Sequence, residues 1–168
     1  DSMRLMYLLA IAASSRSIDL AASYFVPDEL TTATLVSALQ RGVRLRIVLP
    51  GPHTDAEIVA SASRAGWGPL LEAGAEIYEY QPTMYHAKVM VVDGYMVSVG
   101  STNFDNRSFA LNAEANLNVY DRAVASHLTA VFERDITESR QVTLQQWRER
   151  PWSERLHEIF ANMLRPQL

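Results

Sequence analysis

Hydrophobic and polar positions along the first part of the chain change repeatedly between helical and strand periodicity. Residues Met3–Ser14 carry apolar side chains at helical spacing, whereas Ser17–Tyr24 alternates polar and apolar positions as a strand does. Pro27-Asp28 predicts the start of a helix that ends at Arg41-Gly42, because glycine often follows the last helical residue. The strictly alternating segment Val43–Leu49 predicts the next strand.

The same alternation continues for one more unit. A helical stretch covers about residues 55–73, with an interruption near Gly66–Pro69, and a short strand follows over Ala75–Tyr80. Strands that alternate with helices are typical of parallel crossover units, in which helices pack against a sheet. The pattern therefore predicts an α/β fold with a mostly parallel sheet.

The next segment is rich in β-type sequence. Tyr85–Val92 and Tyr95–Gly100 flank Asp93-Gly94, which is a strong hairpin signal, and Ala113–Tyr120 predicts a further strand. We therefore expect an antiparallel hairpin beside the crossover units.

The remainder of the chain has helical periodicity. Apolar residues recur at helical spacing from Val124 to Phe132, and the pattern returns over 153–164. No repeat, low-complexity tract or linker divides the sequence. We expect residues 1–168 to form a single domain, as the usual size range of roughly 100–200 residues per domain suggests.

Composition excludes several classes of protein. The hydrophobic fraction of 48% and the charged fraction of 20% are those of a globular chain. Cysteine is absent, which excludes a disulfide scaffold, thiolate zinc and a cysteine nucleophile. The net charge of −4 argues against a general nucleic-acid binder. The most apolar stretch, Leu5–Ala13, is about half the length of a membrane span.

The informative stretch runs from His86 to Asp93 and continues at Gly100–Asn103. On a strand, His86 and Lys88 point to the same face about 6–7 Å apart, because side chains alternate with period two. Burial of either side chain without a partner is costly, and lysine is almost never fully buried unless it is paired. An anion such as a phosphate would be a suitable partner.

Each of these residues also has a simple structural interpretation. A lone strand histidine most often makes structural contacts, and Asp93 fits the first position of an Asp-Gly hairpin. Ser101 and Asn103 are compatible with loop residues that bond their own backbone, and Glu114 with a solvated charge at the start of a strand. The combination is much rarer than any one of its parts.

That combination, His-x-Lys-x4-Asp from His86 with Gly-Ser-x-Asn from Gly100, resembles the signature of the phospholipase D superfamily, whose members are called HKD enzymes. The chain looks like the C-terminal half of a bacterial cardiolipin synthase, and the resemblance covers about Met3 to Leu168. It extends over four further stretches: Tyr24–Asp28, Arg41–Val43, Tyr78–Lys88 and Asn103–Glu114. It implies a phospholipase D-like fold of one HKD half, with a mixed, mostly parallel sheet and helices on both faces.

The resemblance also implies the catalytic residues His86, Lys88, Asp93 and Glu114. His86 corresponds to the catalytic histidine, and Glu114 would accept a hydrogen bond from the far nitrogen of its ring and so fix the tautomer. Asp93 enters this set as the third residue of the motif, although its place in the family is chiefly structural.

The implied phosphate site consists of Lys88, Ser101 and Asn103. Lys88 would hold a non-bridging phosphate oxygen, and the other two side chains would line the same site. Because lysines and polar groups neutralise the phosphate oxygens in this family, no metal and no cofactor are expected.

The implied chemistry is phosphodiester exchange in two steps. One histidine attacks phosphorus to give a phosphohistidine, while a second protonates the leaving alcohol and later deprotonates the incoming one. A cardiolipin synthase would join two phosphatidylglycerol molecules and release glycerol in this way.

This mechanism needs two histidines, and the chain contains the motif once. Of the other histidines, His53, His127 and His157, none is followed by lysine at the second position. Either two copies pair about a twofold axis, as single-motif HKD endonucleases do, or the chain is the second half of a two-motif enzyme. The abrupt start at Asp1 and the match to the second half favour the latter. His86 would then be the general acid and base, although the sequence leaves the nucleophile's role open.

Three functions therefore compete. The first is a phosphatidyltransferase of the cardiolipin synthase type, with phosphatidylglycerol as substrate and an N-terminal HKD half as partner. The second is a phosphodiesterase or endonuclease that acts as a homodimer, which the acidic charge balance disfavours. The third is a packing domain without activity, which the intact motif disfavours. The resemblance places the full-length protein at the inner membrane, through segments outside this chain, and the chain itself is expected to be soluble.

Overall fold

The computed structural model describes residues 2–55, 57–105, 108–109 and 113–152. Within these ranges the chain forms six helices and seven strands. In order they are α1 (Ser2–Ala13), β1 (Ser17–Ala22), α2 (Glu29–Gln40), β2 (Arg44–Pro50), α3 (Glu57–Ala65), α4 (Gly68–Glu72), β3 (Glu76–Tyr80), β4 (Lys88–Val92), β5 (Met96–Gly100), β6 (Asn116–Tyr120), α5 (Arg122–Thr137), β7 (Ser139–Val142) and α6 (Leu144–Arg148).

The seven strands form one mixed sheet in the order β6-β5-β4-β1-β2-β3-β7. The predicted crossover units are present, since β1 pairs with β2 and β2 with β3 in parallel. The other four pairs are antiparallel. The predicted mixed α/β fold is therefore confirmed, but the predicted excess of parallel pairs is wrong. The reason is that the β4–β5–β6 meander continues the sheet directly from β1.

Strand β7 is a second correction, because the sequence predicts helix there. Its four residues, Ser139–Val142, pair antiparallel with β3 at the edge of the sheet. So short a polar segment shows no alternation of apolar positions, and its strand conformation comes from pairing with β3. The helix predicted over 153–164 lies outside the described residues.

Both faces of the sheet are covered by helices. One face packs on α1, α2 and α4 and forms the larger core, which includes the fully buried residues Ile11, Leu20, Leu35, Ile47, Leu70, Ile77 and Met90. The other face packs on α5. Its apolar contacts form two smaller clusters around Phe132 and Ala125, with strand residues Ala21, Val48, Val91 and Val97.

Polar contacts fix α5 on its face of the sheet. The buried Arg46 side chain of β2 bridges Asp19 of β1 (Nε–Oδ1 2.7 Å) and Glu133 of α5 (Nη1–Oε1 2.6 Å). Two residues further along the helix, Asp135 accepts a hydrogen bond from the hydroxyl of Tyr85 at 2.7 Å. Helix α5 therefore holds the segment that leads into β4.

The turn between β4 and β5 is fixed by Asp93. Asp93 and Gly94 have positive φ angles of 55° and 59°, as the primed turns of hairpins require. The Asp93 carboxylate accepts hydrogen bonds from the backbone N–H groups of Ser15, Arg16 and Ser17 at 2.9, 2.7 and 2.9 Å. Burial raises the pKa of Asp93, but these donors outweigh burial and hold the pKa below its ordinary value. Asp93 thus joins the hairpin to the loop before β1.

We predict that Asp93→Ala lowers the free energy of unfolding by about 2–3 kcal/mol. Alanine removes the acceptor for three backbone donors and disfavours a positive φ. Urea titration followed by circular dichroism measures the change. Stability equal to that of the wild type would contradict a structural role for Asp93.

Asp93→Asn is the matched control, because asparagine tolerates a positive φ and keeps one oxygen. It should lose less than Asp93→Ala at neutral pH. Since the folded-state pKa of Asp93 is lowered, its charge stabilises the fold above the unfolded pKa of about 3.9. This contribution is lost as the pH falls through the folded-state pKa, so the wild type and Asp93→Asn should converge in acid.

Candidate functional site

All of the predicted site residues except Asp93 lie at one end of the sheet, where β1 ends and β4 begins. Ala22, the last residue of β1, lies opposite Lys88, the first residue of β4. On the neighbouring pair, Gly100 at the end of β5 lies opposite Asn116 at the start of β6. This is the end at which the parallel strands β1 and β2 present their carboxyl termini, the usual place for ligands in α/β sheets.

Lys88 is held at this end by a short polar network. Its ammonium donates to Ser23 Oγ at 2.7 Å and lies 3.4 and 3.5 Å from His86 Nε2 and Nδ1. The Ser23 hydroxyl in turn donates to the Ala87 carbonyl at 3.3 Å, which leaves a lone pair directed at the ammonium. His86 and Lys88 therefore lie on the same side of the chain, and the buried Ser23 fixes the ammonium between β1 and β4.

Electrostatics make Lys88 unusual. Burial lowers the pKa of Lys88 below that of an ordinary lysine, and the carboxylates of Glu114, Asp105 and Asp55 oppose this in part. Lys88 is also the only lysine of the chain. The site thus places one partly desolvated cation within the electrostatic reach of three carboxylates. An anionic oxygen would gain a strong charge-assisted hydrogen bond from this cation.

The segment before β4 turns His86 toward Lys88. Tyr85 and Ala87 pack on the α5 side of the sheet, with Val48 among their neighbours, so the side chain between them faces the other way. The Tyr85 hydroxyl is anchored on Asp135, and burial raises the pKa of Tyr85. His86 itself is exposed. The imidazole of His86 is thus exposed to solvent, whereas its backbone is held by the packing of Tyr85 and Ala87 on the α5 side.

Asn103 reaches the site through the end of β1. Its buried side chain accepts a hydrogen bond at Oδ1 from the backbone N–H of Tyr24 at 3.3 Å, and Tyr24 directly follows Ser23. The chain after Asn103 continues beside Tyr24, since Phe104 exchanges backbone hydrogen bonds with Tyr24 and Val26. With its oxygen engaged, the amide nitrogen is the donor that Asn103 offers to a ligand.

Ser101 and Glu114 lie on the β6 side of the site. Ser101 is exposed and accepts a hydrogen bond from the Ala115 backbone N–H at 3.1 Å, which places it beside Glu114. Glu114 is half-buried and accepts from the Ser108 hydroxyl at 3.3 Å. A phosphate contact for Ser101 and a hydrogen bond between Glu114 and His86 stay predictions.

Asp93 lies away from this group. It follows the far end of β4, five residues beyond Lys88, which corresponds to roughly 16 Å along a strand. Of the predicted catalytic residues, the structure therefore brings His86 and Lys88 into contact and leaves Asp93 at the opposite end of the same strand.

The sequence reasoning missed three polar neighbours, namely Ser23, Tyr24 and Asp55. The Tyr24 hydroxyl donates to Asp55 Oδ1 at 2.8 Å, and burial together with Asp55 and Asp105 raises the pKa of Tyr24 to about 12. Their position was the available signal, because Ser23 and Tyr24 directly follow a strand whose carboxyl end faces the site.

Among the described residues, no group of three or more histidine, aspartate or glutamate side chains could hold a metal ion. No helix within those same ranges is both long and apolar enough to cross a membrane.

Comparison with known families gives one match over most of the chain. Residues 7–136 match the family described as cardiolipin synthase, PLD-like domain. A cardiolipin synthase from Geobacillus sp. (strain WCH70) is 40% identical over 164 residues, which are 97% of this chain and 32% of that protein. A probable cardiolipin synthase from Bacillus subtilis (strain 168) is 37% identical, over 97% of this chain and 32% of that protein. The chain spans about a third of the length of these relatives.

Solved structures share the fold. The phospholipase D family member Nuc from Salmonella typhimurium superposes with a TM-score of 0.74 at 24% identity, over 83% of this chain and 90% of that chain. Phosphatidylserine synthase from Haemophilus influenzae superposes with a TM-score of 0.75 at 14% identity, over 97% of this chain and 43% of that chain. The phospholipase D fold is therefore confirmed.

We predict that the ammonium of Lys88 titrates below the ordinary lysine pKa of about 10.4. Because the chain has no other lysine, reductive dimethylation with ¹³C-formaldehyde labels this one side chain and the α-amino group. NMR distinguishes the two signals, since an α-amino group ordinarily titrates at about 7.7–8.0. Orthovanadate should raise this pKa, since a bound anion favours the charged form.

Ser23→Ala is the matched variant for this measurement. Loss of the hydroxyl removes a hydrogen-bond acceptor from the ammonium, so the pKa of Lys88 should fall further. An unperturbed lysine titration that neither Ser23→Ala nor vanadate shifts would contradict the geometry described for Lys88.

Proposed function

We propose that this chain, which belongs to the family of cardiolipin synthase phospholipase D-like domains, forms one half of a phosphatidyltransferase and supplies one of its two HKD motifs. The reaction would join two phosphatidylglycerol molecules to cardiolipin and release glycerol. The observation that carries the proposal is the contact of the partly desolvated Lys88 ammonium with the imidazole of His86. The buried Asn103 side chain supports it, since Asn103 binds the backbone of Tyr24, the residue after Ser23.

The share of each relative that the chain covers supports a two-half enzyme. The chain corresponds to about a third of the cardiolipin synthases that it matches, and to 43% of the Haemophilus phosphatidylserine synthase chain, but to 90% of the Nuc chain. One fold unit therefore fills most of one structure and less than half of the other. We assign residues 1–168 to a single HKD unit, with the second motif supplied by an N-terminal half or by a second copy.

The first step of the proposed reaction forms a phosphohistidine. A ring nitrogen of one histidine attacks the phosphorus of phosphatidylglycerol, and the bond between phosphorus and the glycerol headgroup oxygen breaks. A second histidine donates its proton to that leaving oxygen. Lys88 would neutralise a non-bridging oxygen, with Asn103 and Ser101 as neutral donors to the same group.

In the second step the proton is transferred in the opposite direction. The histidine that gave up its proton now accepts one from the hydroxyl of a second phosphatidylglycerol. The resulting oxygen attacks phosphorus, the phosphorus–nitrogen bond breaks, and the first histidine is restored. We assign the acid and base role to His86, with Glu114 fixing its tautomer, and the nucleophile to the other motif.

Charge favours a lipid over a nucleic acid as substrate. The chain carries a net charge of −4, and the acidic groups Asp55, Asp105 and Glu114 act on the one lysine of the site. The several phosphates of a nucleic acid would be repelled by these carboxylates, whereas the single phosphodiester of a lipid would contact only the ammonium of Lys88. A phospholipid substrate also implies that the full-length protein works at a membrane surface.

We predict that His86→Ala or Lys88→Ala, in the full-length gene product, lowers the rate of cardiolipin formation by roughly 10²–10⁴-fold. Both variants should keep the circular dichroism spectrum and melting temperature of the wild type, because the two side chains serve the site and not the core. Thin-layer analysis of labelled phosphatidylglycerol measures the rate.

His127→Ala is the matched control, since His127 is an exposed histidine on α5, on the other face of the sheet. It should leave the rate unchanged. Equal losses in His86→Ala and His127→Ala, or full activity in His86→Ala, would contradict the assigned site.

We predict that the isolated 168-residue chain forms no cardiolipin while it is monomeric, because it carries one of the two required histidines. Sedimentation velocity under assay conditions establishes the oligomeric state. Turnover by a chain shown to be monomeric would contradict the two-half mechanism. Hydrolysis of DNA by a dimer would instead support the single-motif endonuclease.

A further inference from the structure

A network of hydrogen bonds beneath the Gly100–Asn103 loop meets at one side chain, Asn116. Its amide nitrogen donates to the hydroxyls of Tyr7 at 2.6 Å and Ser98 at 2.9 Å. Its amide oxygen accepts from the backbone N–H of Thr102 at 3.2 Å. Both amide protons and the oxygen are therefore used, by partners on α1, on β5 and in the loop.

The third of these bonds is made to the loop between the two proposed phosphate ligands. Thr102 is buried and separates Ser101 from Asn103. The loop also lies directly on Asn116, because a Cβ on Gly100 would come within 2.3 Å of Asn116 Oδ1 and 2.2 Å of the Ala115 carbonyl. Only glycine permits this approach. The amide of Asn116 thus fixes the distance between the loop and the start of β6.

Tyr7, one of the hydrogen-bond partners of Asn116, also contacts the chain after the loop. Tyr7 is buried on α1, and its ring packs on Phe104 with centroids 4.6 Å apart. Burial raises the pKa of Tyr7, so its hydroxyl stays protonated while it accepts from Asn116. Phe104 directly follows Asn103. The same hub therefore holds the residue before Asn103 by a hydrogen bond and the residue after it by a ring contact.

We propose that Asn116 is a positioning residue for the phosphate site, which it orders by holding Thr102 so that Ser101 and Asn103 both face the anion. This inference rests on the proposed function. Asn116 acts through the loop backbone, and the side chains that would touch phosphate are Ser101 and Asn103. Its loss should weaken binding of a phosphate analogue more than it weakens folding.

Orthovanadate inhibition of cardiolipin formation by the full-length gene product tests this role. Asn116→Leu preserves the approximate shape of the side chain but removes its three hydrogen bonds. It should raise the inhibition constant about tenfold, as expected if the displaced loop loses one hydrogen bond to the anion. Asn118→Leu is the matched control. Asn118 lies two residues further along β6 on the same face, opposite Ser98 and away from the loop.

Tyr7→Phe provides a second variant that removes only one hydroxyl, should Asn116→Leu fail to fold. It should raise the inhibition constant by a smaller factor, about two- to fivefold, and keep the circular dichroism spectrum of the wild type. Together the variants separate a local effect on the anion site from a general loss of structure.

The inference is overturned if folded Asn116→Leu or Tyr7→Phe binds vanadate as the wild type does, or if Asn118→Leu weakens binding equally. An active wild type with these results would leave the proposed function intact. A folded wild type that neither forms cardiolipin nor binds vanadate would instead overturn the proposed function, and the inference with it.

Discussion

The register of strand β4 decides on which side of the sheet the site is built. Because side chains alternate along a strand, a slip of one residue would turn Lys88 onto the α5 face, away from Ser23. The carboxylate of Asp93 opposes this slip, since it ties the far end of β4 to three successive backbone N–H groups at the start of β1. Asp93 therefore positions Lys88 indirectly, because it fixes the register of the strand between them.

The site holds one charged side chain, Lys88, whose burial costs free energy. Lys88 is partly desolvated, and its hydrogen bond to Ser23 does not replace the full hydration of an ammonium. A bound phosphate oxygen would make up this deficit, and the carboxylates of Glu114, Asp105 and Asp55 already favour the charged form of the lysine in part. We therefore expect the proposed site to favour a single anionic centre, as in a phosphodiester of a neutral alcohol.

Periodicity predicted most of the fold, because helical segments separate β1, β2 and β3 in the sequence. Only β3 buries alternate residues, whereas β1 and β2 are buried along almost their whole length, since helices cover both faces of the sheet. It failed for β7, where Ser139–Val142 owes its conformation to pairing with β3. It also misjudged the balance of parallel and antiparallel pairs, since the order of strands depends on contacts between distant segments. Spacing within the motif was sufficient to pair His86 with Lys88. Ser23 and Asn116 were missed, because each is recognised only by what the folded chain brings beside it.

The most direct test is a crystal structure of the full-length gene product with orthovanadate bound. We expect vanadate within hydrogen-bond distance of Lys88 Nζ and Asn103 Nδ2, between His86 and a second histidine from outside residues 1–168 or from a second copy. Vanadate bound away from Lys88, or bound beside His86 with no second histidine within reach, would contradict the account.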